Sequence, residues 1–197
     1  AGLEGSPSSL MMLPAYIDPA AKLPVGKPVA VLDAGGTNLR AALVSFETEG
    51  PVIHVQRKCP MPGTNGKLSW DEFLHQLAKE IAPLAQKTEY LGFCFSFPAE
   101  ITPETDGRII NFNKEVQVEG AEGRYVCREL MALLNSEYGC HITRFSLLND
   151  TVATLLGGFA AAEYGRYDSF LGFILGTGMN CCYVEPSREM VINMEAG

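Results

Sequence analysis

Pro28-Val29-Ala30-Val31-Leu32-Asp33-Ala34-Gly35-Gly36-Thr37-Asn38-Leu39-Arg40-Ala41-Ala42-Leu43-Val44 reads as a strand, a glycine turn and a second, antiparallel strand. Val29 to Leu32 is a continuous apolar run, the pattern of a strand covered on both faces, and Leu39 to Phe46 resumes a strand directly after the turn. Glycine at 35 and 36 permits positive φ and lets an anionic group approach backbone N–H groups without meeting a Cβ. Asp33, at the end of the first strand, can hold a hydrated Mg²⁺ beside such a group, because a hard cation prefers oxygen ligands and keeps its waters. Two other phosphate loops are excluded. A Walker loop and a dinucleotide fingerprint both open a helix, whereas here aliphatic residues continue as a strand. The same letters also suit a plain Gly-Gly hairpin turn with a solvated Asp, and the stretch alone leaves both readings open.

The chain has 197 residues and is 47% hydrophobic, enough for a substantial core in one large domain or two small ones. No apolar run approaches a membrane span, and Leu10-Met11-Met12-Leu13 is too short and lacks the basic flank of a signal peptide, so the expectation is a cytoplasmic protein without a membrane segment. The formal net charge of −8 speaks against nucleic acid as a partner, since such binding depends on Lys and Arg neutralising phosphates. The cysteines at 59, 94, 127, 140, 181 and 182 form no Cys-x-x-Cys pair, and free thiols rather than bridges or a zinc site are expected.

Residues Ala1 to Lys27, rich in Gly, Pro, Ser and Ala, read as an extended arm with one docking patch, Leu10 to Ile17. Val52 to Arg57 is a third strand. Ser69 with Glu72 matches a capping box, and Trp70, Phe73, Leu74, Leu77, Ile81 and Leu84 recur at helical spacing, which makes Trp70 a core anchor. Tyr90 to Ser96 is a fourth strand and delivers Ser96 to a strand end, where open α/β sheets bind ligands. Asp106-Gly107 is a turn signal between short extended runs, with Asn111 to Lys114 just beyond as a pocket lip. A helical pattern from Arg124 to Tyr138 stops at Gly139, and Ile142 to Leu148 is a fifth strand running into Asn149-Asp150-Thr151 and another helical pattern. Any of those three residues can cap that helix. Phe170 to Leu175, Gly176-Thr177-Gly178 and Cys181 to Val184 then repeat strand, glycine turn, strand, as though two related half-folds faced one nucleotide. The chain stops soon after, with no further helices to cover that second sheet, the pattern of a fragment.

Taken together, Leu13 to Tyr16, Leu32 to Arg40, Gly92 to Pro98, Leu148 to Val152 and Leu175 to Asn180 resemble the eukaryotic-type hexokinase family in order and approximate spacing. The resemblance implies an actin-like ATPase architecture of ribonuclease-H-like lobes: an arm (1–27), a small lobe (28–150) with a mixed five-stranded sheet and flanking helices, and the beginning of a large lobe (151–197). It implies phosphorylation of the 6-hydroxyl of a hexose, glucose foremost, with ATP and Mg²⁺ as cofactors. Carried over by motif, Asp33, Gly35, Gly36, Thr37, Asn38 and Arg40 form the first phosphate site, with Asp33 reaching Mg²⁺ through water, and Gly176, Thr177 and Gly178 form the second. Ser96, Asn113, Lys114, Asn149, Asp150, Asn180 and Glu195 match sugar-contacting positions, and Asp150 matches the catalytic base rather than a mere cap. Asn side chains both donate and accept, as hexose hydroxyls do, which suits them to such a site.

The sequence departs from the family at three places. Asn113 replaces a Thr, Ala196 replaces an aromatic, and the Glu185–Met190 connection is short. The family's adenosine motif and a further sugar-contacting carboxylate would lie beyond Gly197, so the 197 residues alone are expected to be inactive. Two rivals stay open: another actin-like sugar kinase, of which the repressor-like bacterial type would show a Cys/His zinc motif, and a non-catalytic sugar-sensing module on the same fold.

Overall fold

The structure is a computed structural model that describes residues 8–17, 25–112, 115–161, 166–176, 178–188 and 190–196. The arm contributes a short strand, β1 (Leu13–Pro14), and the quoted stretch forms β2 (Pro28–Ala34) and β3 (Asn38–Glu47), followed by β4 (Gly50–Pro60). Next come β5 (Leu68–Ser69) and helix α1 (Trp70–Ala85), then β6 (Tyr90–Phe95), β7 (Ala99–Ile101), β8 (Gly107–Ile109), β9 (Val118–Glu119) and α2 (Val126–Glu137). The remainder is β10 (Arg144–Leu148), α3 (Asp150–Ala161), β11 (Leu171–Leu175), β12 (Met179–Glu185) and β13 (Met190–Asn193). Among the described residues no helix is long and apolar enough to cross a membrane.

One sheet is mixed and five-stranded, as expected, in the order β10-β6-β2-β3-β4, with β10, β6 and β2 parallel and β3 and β4 antiparallel to their neighbours. It is covered on one face only, which corrects the two-faced burial expected for β2. Ala30, Leu32 and Ala34 are fully buried in the core with Phe73, Leu77 and Phe93, while Val29, Val31 and Asp33 alternate with them on the more open face. Period-2 alternation was masked because both faces of β2 carry aliphatic residues up to Leu32.

Helix α1 begins on the capping box: the Glu72 N–H donates to the Ser69 hydroxyl, and the Glu72 carboxylate accepts from the Ser69 N–H at 2.8 Å. Its predicted stripe is all buried, and Trp70 is indeed a core residue whose Nε1 donates to Glu129 at 2.8 Å. The Asp106-Gly107 signal does stand between two short extended runs, the antiparallel pair β7 and β8. The turn lies before it, and the Asp106 carboxylate is fully buried, accepting from the Cys127 and Arg128 N–H groups at the start of α2 and pairing with the Arg128 Nε at 2.9 Å. The same turn ties down β10, since the Leu147 N–H donates to the Thr105 carbonyl at 2.8 Å.

A second sheet of four antiparallel strands runs β1-β13-β12-β11. Here the arm finds its dock, β1 pairing Leu13 with Asn193 and Pro14 with Ile192. Glu185 pairs with Met190, so the short connection noted in the sequence lies between two adjacent antiparallel strands, β12 and β13. Helix α3 packs on this sheet through Val152 and Leu155 against Cys182, Val191 and Ala15, a core separate from that of the first sheet.

Candidate active site

The register of the first sheet determines what faces the open side. Asp33 lies opposite Arg40 on β3 and Cys94 on β6, so the three side chains form one row, and Ser96 follows two residues beyond Cys94. The Arg40 guanidinium donates to the Asp33 carboxylate at 2.7 Å. The turn between β2 and β3 is closed by the Gly35 N–H donating to the Asn38 carbonyl at 3.0 Å. Gly35 does not use the left-handed region; it is tolerated for closeness, since a Cβ there would sit 3.3 Å from the Asn38 carbonyl oxygen. Burial first, and then the Asp33 and Asp150 carboxylates, push the Cys94 thiol well above its ordinary value, which places both carboxylates within electrostatic reach of it.

Asp150 is the first residue of α3, directly beyond the end of β10. The cap is Asn149: its Oδ1 accepts from the Thr151 N–H at 3.0 Å and its carbonyl from the Ala153 N–H. Asp150 is left half-buried at the cleft, its Oδ1 accepting from the Thr151 N–H at 2.9 Å. Beside it Asn149, Thr151, Asn180, Asn193 and Glu195 form one hydrogen-bonded group. The Asn180 Nδ2 donates to Asn193 at 3.0 Å, its Oδ1 accepts from the Cys181 and Ala196 N–H groups, and the Asn149 Nδ2 donates to the Glu195 Oε1 at 3.3 Å.

A cleft of about 690 Å³ runs between the two sheets and gathers most of the candidates: Asp33, Gly35, Gly36, Thr37, Arg40, Ser96, Asp150, Gly176, Gly178, Asn180 and Glu195. Two candidates do not line it. Asn38 starts β3 with its Nδ2 donating to the Thr37 hydroxyl at 2.8 Å, and Asn149 is buried behind the cleft at 7% exposure. Asn113, Lys114 and Thr177 lie outside the described residues. Sequence reasoning gave no site role to Cys94 and Thr154 on the cleft wall or to Asn193 beneath it, and took Thr151, also beneath it, only as a possible cap. The strand alternation that places Cys94 level with Asp33 was the available signal for the first; nothing local marked Thr154 or Asn193.

A profile of the family described as Hexokinase matches residues 1–159. Hexokinase-1 of Nicotiana tabacum is 34% identical over 220 residues, covering 96% of this chain and 42% of the relative. Hexokinase-1 of Spinacia oleracea is 36% identical over 222 residues with the same coverage, 96% and 42%. The solved hexokinase of Schistosoma mansoni complexed with glucose superposes with a TM-score of 0.76 at 28% identity, over 95% of this chain and 45% of that one. The chain thus spans less than half the length of these relatives, with the actin-like ATPase architecture that the sequence implied. By its profile match, its relatives and its fold, this chain belongs to the hexokinase family.

Proposed function

We propose that the chain forms the phosphate side and much of the sugar side of an ATP-dependent kinase that phosphorylates the 6-hydroxyl of a hexose, glucose foremost. In this reading residues 28–150 are the small lobe and 151–197 begin the large lobe, in a cytoplasmic protein whose cysteines are free thiols. The observation that supports it most is the convergence of two glycine turns, from separate sheets, on the cleft that also holds Asp150, Ser96, Asn180 and Glu195.

The donors fit the cofactors that the family implies. Asp33 is a partly exposed carboxylate beside a glycine turn and would hold a hydrated Mg²⁺ through water next to the phosphate site. Bound Mg²⁺-ATP supplies the phosphoryl group. This chain contributes part of the machinery: the turns of residues 35–37 and 176–178 hold phosphate oxygens, and Arg40, now on Asp33, offers a positive charge beside them. Asn180, Glu195, Ser96, Asn113 and Lys114 orient the hexose, with Asn149 supporting Glu195 from behind. Asp150, oriented by the Thr151 N–H on its Oδ1, takes the 6-hydroxyl proton on its carboxylate.

The test is a coupled assay of the full-length protein with hexose and Mg²⁺-ATP. Hexose-dependent ADP formation is expected. Hexose binding without ATP-dependent turnover would instead identify a sugar-sensing module.

A further inference from the structure

Asn193 ends β13 at a central position of its sheet, opposite Leu13 on one side and Cys182 on the other, behind Val191 and Ile192. It is 5% exposed. Its Nδ2 donates to the Glu195 Oε1 at 2.7 Å, while its Oδ1 accepts from the Asn180 Nδ2 at 3.0 Å, the Thr151 hydroxyl at 3.4 Å and the Glu195 N–H at 3.4 Å. One amide therefore links two cleft-lining side chains, Asn180 and Glu195, to the α3 turn that carries Asp150.

Stability alone gives no reason for an amide there, because replacing a buried polar pair by apolar groups of similar shape is often nearly neutral. The conformation of Glu195 gives one. Its φ is 47°, in the left-handed region that non-glycine residues enter rarely and at some cost. Asn193 holds that conformation at both ends, accepting from the Glu195 N–H and donating to its carboxylate.

We infer that Asn193 is a positioning residue for the hexose site, fixing the Glu195 carboxylate and the Asn180 amide where the sugar hydroxyls meet them. The inference rests on the hexose-kinase reading of the cleft.

The test is a double-mutant cycle in the full-length protein. Asn193→Asp keeps the shape and the acceptor oxygen used by Asn180, Thr151 and the Glu195 N–H, but sets a second carboxylate oxygen against Glu195. Hexose Kd and KM are expected to rise roughly tenfold or more, the worth of a buried hydrogen bond to a charged group, while ATP KM stays near the parent's; the thermal midpoint is expected to fall, because the new carboxylate is buried against that of Glu195. Combined with Glu195→Gln, whose amide can donate to the new carboxylate, Asn193→Asp should cost much less than it does alone. Unchanged hexose affinity in a folded Asn193→Asp protein, or penalties that simply add, would overturn the inference. Should Asn193→Asp not yield folded protein, Asn193→Ser enters the same cycle under the same criteria. A parent protein that neither binds nor phosphorylates hexose overturns the functional reading and this inference together, whereas a hexose-phosphorylating parent indifferent to Asn193→Asp overturns this inference alone.

Discussion

At the scale of residues, the cleft wall shows how burial and charge act on one side chain. Cys94 sits between Asp33 and the region of Asp150, and both burial and those carboxylates disfavour its thiolate. A raised thiol pKa means a protonated, poorly nucleophilic sulfur at neutral pH, despite a place beside the proposed chemistry. Cys94 should therefore resist iodoacetamide at pH 7.5 under conditions that fully alkylate free cysteine, and react only as the pH climbs past the ordinary value of 9.0. Peptide mapping by mass spectrometry reads this directly; rapid labelling of Cys94 at neutral pH would contradict it.

At the scale of elements, helix α3 carries Asp150 and depends on one glycine beneath it. A Cβ on Gly172 would collide with the Thr151 carbonyl oxygen and lie 2.6 Å from the Cys182 Sγ, so β11 must present bare backbone to the first turn of α3. Gly172→Ala should push that turn off the sheet, costing roughly 1–3 kcal/mol of stability as overpacking does, and lowering kcat with it. Gly157→Ala is the control. It lies in α3 itself with nothing near the new methyl, so it should be neutral or stabilise by roughly 0.5–1 kcal/mol. Thermal denaturation of both variants checks the contrast, and equal effects would refute it. Elements of this kind were legible in the sequence where their cause is local: the capping box of α1, its apolar stripe and the turn between β2 and β3 all follow from residues a few positions apart. The rest depends on distant partners. Asp106 reads as a turn residue because its carboxylate's partners, Cys127 and Arg128, come 21 and 22 residues later. Asn193 looks like an unremarkable strand end because Thr151 and Asn180 reach it only once β12, β13 and α3 have assembled. The one-sided cover of the first sheet was likewise unreadable from β2, whose outward Val29 and Val31 are as apolar as its inward residues.

At the scale of the whole molecule, the proposed sugar contacts are divided between two sheets. Ser96 belongs to the end of the first, Asn180 and Glu195 to the second, and each sheet has its own core. A hexose between them would bridge the two halves, so the full-length protein should compact when hexose saturates it, as lids and lobes close to exclude water. A radius of gyration by solution scattering that does not change on saturation would count against that division of labour. Asp150 belongs to this scale as well, since it stands at the seam, one residue beyond the cap that joins β10 to α3. Whether it is part of the cap or the base of the reaction is the question on which the account turns. Asn caps a helix about as well as Asp and still hydrogen-bonds a hydroxyl, but it cannot take a proton. The most direct measurement is therefore the pair of kcat and hexose Kd for Asp150→Asn in the full-length protein. The account predicts a loss of roughly 10² to 10⁴ in kcat with hexose Kd and thermal midpoint preserved, the worth of a general base. An Asp150→Asn protein that turns over hexose at the parent's rate would contradict it.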